Sequence, residues 1–467
     1  MNSCVYSHSS PKPDPTSLQM DGDVVERPGR GRCAVATRAL SAGTVASAFS
    51  GKPYAAVPLP SLRERHCAMC LRACVGRAKL LRCSRCRWTR YCSAACQKSD
   101  WALHKHECAA LADGSSQLHQ LSDAPLADVL LTGRCLWRRH DATTASTCGV
   151  EDAAFDQLEI GVPCDSDRAL GVLAAGVPGL LPPAASGAAA SEGAAQLICA
   201  FGRNNFGVLN DLLSVVGAGC YPRAAILNHS CAPNCVLAFN GHAVEVRTMR
   251  AVAAGDELCH SYVELCQPTA ARRAALSARY GFVCDCARCV DGLRTATGED
   301  IDVLMTALVD GSPNMGAGGC GELERSAELL AAAAQATDEP EELRLTLEAL
   351  QVRRELCHPL SVLRYMAEGR ALTTALALDE LETARACCRH VVTFLEAALG
   401  GVPAHPLLAL QRFTLADLES ACDEPAAALQ AMEACAATLV LTAATHSPLR
   451  QQALDNLDAM RRRPVGV

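Results

Sequence analysis

The chain has 467 residues, of which 50% are hydrophobic and 4% are aromatic. This apolar share can fill several domain cores and argues against a largely disordered chain. The 43 basic and 50 acidic residues give a net charge of −7, which excludes a chain that is basic throughout but not a local basic patch.

The N-terminal segment predicts a disordered tail over residues 1–23. It contains the run Ser-Ser-Pro-Lys-Pro-Asp-Pro and no apolar core, so a secretory signal is not expected. No apolar run reaches the ~18–20 residues that a membrane span needs. We therefore expect a reducing location, the cytoplasm and nucleus, in which clusters among the 28 Cys indicate metal sites rather than disulfides.

The sharpest pattern lies in residues 66–108, where two C-x2-C pairs precede a C-x3-C and an H-x3-C. A C-x2-C pair directs two thiolates at one ion, and the i, i+4 pairs share a helix face. Eight ligands suffice for two tetrahedral Zn²⁺ sites, and about forty residues with little core would depend on the metal to fold. The predicted ligands are Cys67, Cys70, Cys83, Cys86, Cys92, Cys96, His104 and Cys108. Cys74, His66 and His106 have no matching partner and are expected to be non-ligands.

A second thiolate cluster is Cys284-Asp-Cys286-Ala-Arg-Cys289. Three thiolates leave one tetrahedral position open. The fourth ligand must come from elsewhere in the chain, and Cys231 and Cys235 are the two candidates.

Three separated segments carry the candidate chemistry of the site. The first is Gly29-Arg30-Gly31-Arg32, in which two glycines let a ligand approach the backbone closely. The second is Asn228-His229-Ser230-Cys231, and the third is Gly255-Asp256-Glu257-Leu258, followed by Tyr262. Each segment alone is weak evidence for a functional site, and a tyrosine after a strand is usually a packing residue.

In this order, and ahead of C-x-C-x2-C, these segments resemble a SET-domain protein lysine methyltransferase with its post-SET zinc. The run Tyr91-Cys92-x3-Cys96-Gln97-x3-Trp101-x2-His104-x3-Cys108 resembles a MYND zinc finger. Together they resemble the SMYD family, which places that finger between two halves of the SET domain. The implied fold is α+β and multidomain: a SET β-fold with an inserted MYND finger, a post-SET zinc site and a C-terminal α-helical TPR-like domain.

The resemblance implies S-adenosyl-L-methionine as cofactor and three zinc ions. It also implies a cross-braced finger with two zinc ions. One ion would be bound by Cys67, Cys70, Cys92 and Cys96, and the other by Cys83, Cys86, His104 and Cys108. It completes the third site with Cys231, which leaves Cys235 free. Tyr262 would be the catalytic tyrosine. The implied cofactor pocket, including its aromatic channel, is formed by Arg30, Gly31, Asn204, Asn228, His229, Tyr280 and Phe282. Arg32 departs from the apolar residue expected after the second glycine.

The predicted organisation follows the same resemblance. The SET halves are expected at 24–60 and 201–270, the finger at 61–110 and a helical insertion at 111–200, in which the Ala/Gly/Pro-rich stretch 165–195 reads as a flexible loop. The post-SET segment is expected at 271–292 and the TPR-like helices at 293–467. His-x-Leu runs at His358 and His405 and Asp-Glu pairs at Asp379 and Asp423 repeat there, although a plain helical bundle would also fit.

The predicted activity is S-adenosylmethionine-dependent methylation of lysine side chains in histone or non-histone proteins. The alternative is a non-catalytic zinc-finger and TPR-like recruitment protein acting in transcription and chromatin. A sequence-specific zinc transcription factor fits poorly, because the spacing is not that of C2H2 fingers. We expect a monomer. Residues 61–108 hold eleven Lys/Arg and three acidic residues, so the finger could contact nucleic acid or an acidic partner. The resemblance to the MYND finger implies instead a docking module for a proline-rich peptide.

Overall fold

The computed structural model describes residues 21–74, 79–183, 188–309 and 317–462, with only the backbone at 204–206 and 317–320. The strands are β1 Gly22–Arg27, β2 Gly31–Ala36, β3 Ala55–Pro58, β4 Leu81–Arg82, β5 Arg90–Tyr91, β6 Asn205–Leu209, β7 Val215–Cys220, β8 Asn228–His229, β9 Cys235–Asn240, β10 Ala243–Thr248 and β11 Cys259–His260. The helices are α1 Ala94–Ala112, α2 Asp123–Thr144, α3 Val150–Asp156, α4 Asp165–Gly176, α5 Ala188–Asn204, α6 Thr269–Tyr280, α7 Ala287–Val290, α8 Ile301–Leu304, α9 Ala317–Ala333, α10 Glu339–Leu356, α11 Val362–Ala377, α12 Leu381–Ala398, α13 Pro406–Ala421, α14 Pro425–Thr442 and α15 Pro448–Arg462. The first strand begins at Gly22, so the predicted tail 1–23 extends two residues into it, and residues 1–20 lie outside the described part.

Short β-sheets form the part of the molecule that carries the candidate site. Hairpins β1–β2 and β9–β10 and the sheet β3–β7–β6 are antiparallel, and β8 pairs with β11 in parallel. In β10, Val244 and Val246 are buried, Glu245 accepts from the Thr445 amide after α14, and Arg247 donates to the Leu441 carbonyl near the end of α14. The C-terminal helices are thereby attached to the β-region.

A buried ionic network fixes the finger to the helical insertion. Ser93 caps α1 by accepting from the Cys96 amide at 3.2 Å. On the opposite side of α1, Asp100 and Glu107 bond to Arg134 of α2, and Arg134 is 4% exposed. Tyr91 donates to Asp100 at 2.8 Å. The metal-binding module therefore shares its core with the body of the protein.

The prediction of a flexible loop over 165–195 is wrong at both ends, where α4 and α5 form a packed pair. A Cβ on Gly171 would lie 2.4 Å from the Ser191 carbonyl oxygen, so only glycine permits this close approach. Ala174, Ala194 and Ala195 are fully buried at the pair. The small residues that suggested a flexible loop are the ones that allow these two helices to pack closely. Residues 184–187 lie outside the described part.

The C-terminal third is a series of antiparallel helix pairs from α9 to α15, each packed on the next. Asp379 and Asp423 adopt φ of +58° and +57° at equivalent turns before α12 and α14, so two successive pairs repeat the same connection. His405 accepts from the Leu407 amide at 3.2 Å and His358 from the Leu360 amide at 3.1 Å, so both stand at helix entries as expected. The repetition makes the domain TPR-like.

Helix α14 is, among the described residues, the helix whose length and apolarity would allow it to cross a membrane. Buried core helices of soluble domains can have the same length and apolarity. Here 44% of the helix is buried, and it packs between α13 and α15. Its composition therefore also fits its place inside the helical array.

Candidate functional site: two cavities joined at a tyrosine pair

The N-terminal hairpin presents its backbone to the site. The turn between β1 and β2 requires φ of +74° at Gly29 and +65° at Gly31, a conformation that favours glycine. The carbonyls of Arg30 and Arg32 accept from the Asn228 amide group at 3.3 and 3.1 Å. The two glycines thus shape a turn that Asn228 holds in place.

A parallel crossing of two segments brings the second and third motifs together. Asn228 and His229 of β8 pair with Cys259 and His260 of β11. The Tyr262 amide donates to Nδ1 of His229 at 3.0 Å, which fixes the orientation of the imidazole ring. Burial lowers the pKa of His229 to about 4, so the ring is neutral at physiological pH.

Glu257 is the polar centre of this region, and sequence reasoning assigned it no role. Its carboxylate accepts from Asn228 Nδ2 at 2.9 Å and from Arg30 Nε at 2.9 Å. Burial alone would raise the Glu257 pKa, but hydrogen bonds from Asn228 and Arg30 outweigh it and lower the pKa. In the sequence, the role of Glu257 was indicated only by its position in Gly255–Leu258, after a strand. No partner for its carboxylate could be recognised there.

These elements enclose a cavity of about 270 Å³. Six of the residues predicted for the pocket or the reaction line it: Arg30, Asn228, His229, Tyr262, Tyr280 and Phe282. Gly31 lies in the adjoining turn rather than in the wall, and the side chain of Asn204 lies outside the described part. Sequence reasoning missed three charged residues of the lining: Glu159, Arg203 and Asp285. Arg32, noted as a departure, bonds to the Gln157 carbonyl at 2.6 Å.

An aromatic pair stands between this cavity and a second one of about 200 Å³. Tyr262 and Tyr280 line both, with ring centroids 4.8 Å apart. Phe282 continues the wall, 6.4 Å from Tyr280. The Tyr262 hydroxyl donates to the Leu227 carbonyl at 2.7 Å, which leaves its oxygen available as an acceptor. The two tyrosines thus form a wall that both cavities share.

Three sets of Cys and His side chains converge in the described part of the chain. Within each set the ligand atoms lie within 4.8 Å of one another. The sets are Cys67, Cys70, Cys92 and Cys96; Cys83, Cys86, His104 and Cys108; and Cys231, Cys284, Cys286 and Cys289. Cys235 lies in β9 outside the third set, so this open alternative is not realised, and Cys74, His66 and His106 are in none of them.

The donor sets fit zinc, which favours four thiolate or imidazole ligands. His104 shows the arrangement most clearly: its Nδ1 lies 3.0 Å from Glu107, and its Nε2 lies 3.6 Å from Cys86 Sγ. A carboxylate that holds Nδ1–H leaves Nε2 free to bind a metal. In the third set, the buried Arg272 donates to Cys231 Sγ at 3.3 Å and pairs with Asp302 at 2.9 Å.

Comparisons with known proteins give a matching family model and several similar proteins. The MYND finger family model matches residues 67–108. The chain is similar to the mouse protein named Histone-lysine N-methyltransferase SMYD3, with 33% identity over 52% of this chain and 55% of that protein. It is 30% identical to the Xenopus laevis N-lysine methyltransferase SMYD2-A over 56% of this chain and 59% of that protein. Mouse Smyd1, also named a histone-lysine N-methyltransferase, is 28% identical over 62% and 59%. The matches thus span somewhat more than half the length of these curated relatives.

Proposed function

We propose that the chain is a member of the SMYD family of SET and MYND domain proteins and that it is an S-adenosylmethionine-dependent protein-lysine N-methyltransferase. The observation that carries the proposal is the Tyr262–Tyr280 pair, which forms a common wall of two cavities. A methyl donor and a lysine would occupy opposite sides of that wall. Histone and non-histone lysines are both within the proposed substrate class.

The larger cavity is the proposed cofactor site. Its walls offer backbone at Gly29 and Arg30, the amide of Asn228 and the aromatic face of Phe282. S-adenosylmethionine would supply an electrophilic methyl group there. Asn228 would act together with Glu257, because that carboxylate holds both Asn228 and Arg30. We propose that Asn204 binds the amino-acid end of the cofactor.

The tyrosine pair would prepare the lysine for methyl transfer. A free lysine has a pKa near 10.4 and cannot attack while it is protonated. Burial between Tyr262 and Tyr280 disfavours the charged form and thus lowers the pKa of the bound amine. Because the Tyr262 hydroxyl proton is directed at Leu227, its oxygen can accept from the amine and align the lone pair. The ring faces also tolerate a methylammonium product.

The zinc sites are proposed to be structural. The third set begins two residues after Phe282, so a metal there would anchor one wall of the cofactor cavity. The two finger sites would hold the module that docks on Arg134. All three sets supply four ligands each and leave no open position for catalysis.

The finger is the proposed protein-docking module of this enzyme. Trp101 on α1 is 44% exposed, and proline-rich peptides dock on exposed aromatic rings. The excess of Lys and Arg in residues 61–108 would favour an acidic partner, and it could also serve nucleic-acid contact. We propose further that the protein acts as a monomer in the cytoplasm and nucleus.

Tyr262→Phe should reduce kcat about a hundredfold, the size expected for loss of one positioned polar group. The turnover number is measured by the transfer of a labelled methyl group from S-adenosylmethionine to histone and non-histone lysine substrates. Tyr221→Phe is the matched control, since the Tyr221 hydroxyl also donates to a backbone carbonyl, that of His242, at 2.6 Å. Unchanged turnover by a folded Tyr262→Phe variant would contradict the proposed role.

A further inference from the structure

The smaller cavity has an unusual charge. Of the described residues that line it, the charged ones are Arg203 and Arg279, and none is acidic. His260 adds no charge, because burial, with a smaller contribution from His229, lowers its pKa to about 4. A lysine that enters through this cavity would therefore pass two cations.

Arg279 is held at the mouth by contacts that do not neutralise it. It lies in the last turn of α6, and its Nε donates to the Gly202 carbonyl at 2.8 Å. Its guanidinium carbon lies 5.5 Å from the centroid of the Tyr280 ring. Gly202 adjoins Arg203 in α5, so the bond from Arg279 of α6 places both arginines at the same cavity.

Two acidic groups lie near these arginines. Asp128 of α2 interacts electrostatically with Arg279 from a largely buried position, where burial and then Asp167 raise its pKa to about 6. Glu159 lines the adjoining cavity together with Arg203. Among the described residues, the Arg279 head contacts the Gly202 carbonyl and the Tyr280 ring, and it forms no ion pair with Asp128. Both arginine residues are exposed, so their heads remain open to a ligand.

From this charge distribution we infer that the enzyme selects lysines flanked by anionic residues, with Arg279 as a specificity residue at the channel mouth and Arg203 beside it. This inference rests on the proposed function and specifies its substrate class. An acidic side chain one or two positions from the lysine would pair with the arginines. A flanking Lys or Arg, as in strongly basic segments, would be repelled, and such repulsion is a usual source of specificity.

The test uses peptides that are identical except for the residues flanking one lysine, which are Glu, phosphoserine, Gln or Lys. Binding to full-length, zinc-loaded protein with S-adenosylhomocysteine is measured by fluorescence anisotropy, and kcat/KM by methyl transfer. At low salt the Glu peptide should exceed the Lys peptide by about tenfold in both readouts, because several exposed charge pairs each change affinity a few-fold. The preference should shrink as salt rises. The phosphoserine arm shows whether carboxylate or phosphate is preferred.

Arg279→Gln should reduce the Glu-to-Lys ratio to within about threefold of unity, a loss comparable to one or two exposed charge pairs. Arg250→Gln is the control, because Arg250 is also exposed and bonded to a backbone carbonyl, that of Ala232, but lies outside the cavity. Equal or tighter binding of the Lys peptide by the wild type, or an unchanged ratio in Arg279→Gln, overturns the inference. If no peptide is methylated but the binding ratio holds, the proposed activity fails while the charge selectivity stands.

Discussion

Replacing Arg134 with methionine should lower the free energy of unfolding by about 3–5 kcal/mol, the usual cost of removing one partner from a buried ion pair. Arg134 Nη1 lies 3.0 Å from Asp100, and Nη2 lies 2.6 Å from Glu107. Both carboxylates are nearly inaccessible to solvent. Burial raises the pKa of Glu107, but Arg134 outweighs this and holds the pKa at about 2. Without Arg134, the two buried carboxylates would keep their contacts with Tyr91 and His104 but would lose the arginine that compensates their charge.

Urea unfolding followed by circular dichroism measures the effect. Arg139→Met is the matched control on the same helix, because Arg139 pairs with Asp156 at 2.5 Å while remaining 29% exposed. That exposed pair should contribute about 0–1 kcal/mol. Similar losses for the two variants would contradict the role assigned to the buried network.

Removal of zinc should have the largest effect of all, since structural zinc contributes on the order of 10–16 kcal/mol of binding free energy at pH 7 in small finger domains. The finger has short strands β4 and β5 and one helix, so little besides the metal would hold its ligand loops together. We expect a chelator to unfold the finger and abolish cofactor binding, because the third site anchors Phe282. Atomic emission measures the loss of zinc, and thermal unfolding measures the loss of folded structure.

Single variants separate the third site from the finger. Cys284→Ser should lower the zinc content by one ion per chain and weaken cofactor binding, whereas the finger sites keep their metal. Cys235→Ser is the control, because Cys235 is also buried but lies outside all three sets. Full zinc content in Cys284→Ser would contradict the assignment of the third site.

Local spacing was enough to predict the eight ligands of the finger, because a C-x2-C pair already places two thiolates on one turn. Their division between two ions followed only from the resemblance to the MYND finger. The partner of Cys284, Cys286 and Cys289 was open from spacing alone, since Cys231 lies more than fifty residues earlier in the chain. Its choice over Cys235 depends on the long-range fold: Cys235 begins β9 and packs in the β-region core instead.

Glu257 and the α4–α5 pair show what sequence patterns missed. The role of Glu257 depends on Arg30 and Asn228, which meet it only once β8 and β11 have paired. At 165–195, high Ala and Gly content was interpreted as flexibility, whereas at Gly171 it permits a backbone approach that larger side chains would block. Composition does not distinguish a loop from a close helix contact, because both need small residues.

Isothermal calorimetry of S-adenosylmethionine binding to zinc-loaded protein tests the central claim most directly. The wild type should bind one cofactor with micromolar or tighter affinity, and Asn228→Ala should bind at least about tenfold more weakly, the loss of roughly 1.4 kcal/mol of polar contacts. Arg250→Gln, remote from the cavity, should bind as the wild type does. Absence of binding by a folded, zinc-loaded wild type would contradict the methyltransferase assignment and leave partner recruitment through the finger as the function to pursue.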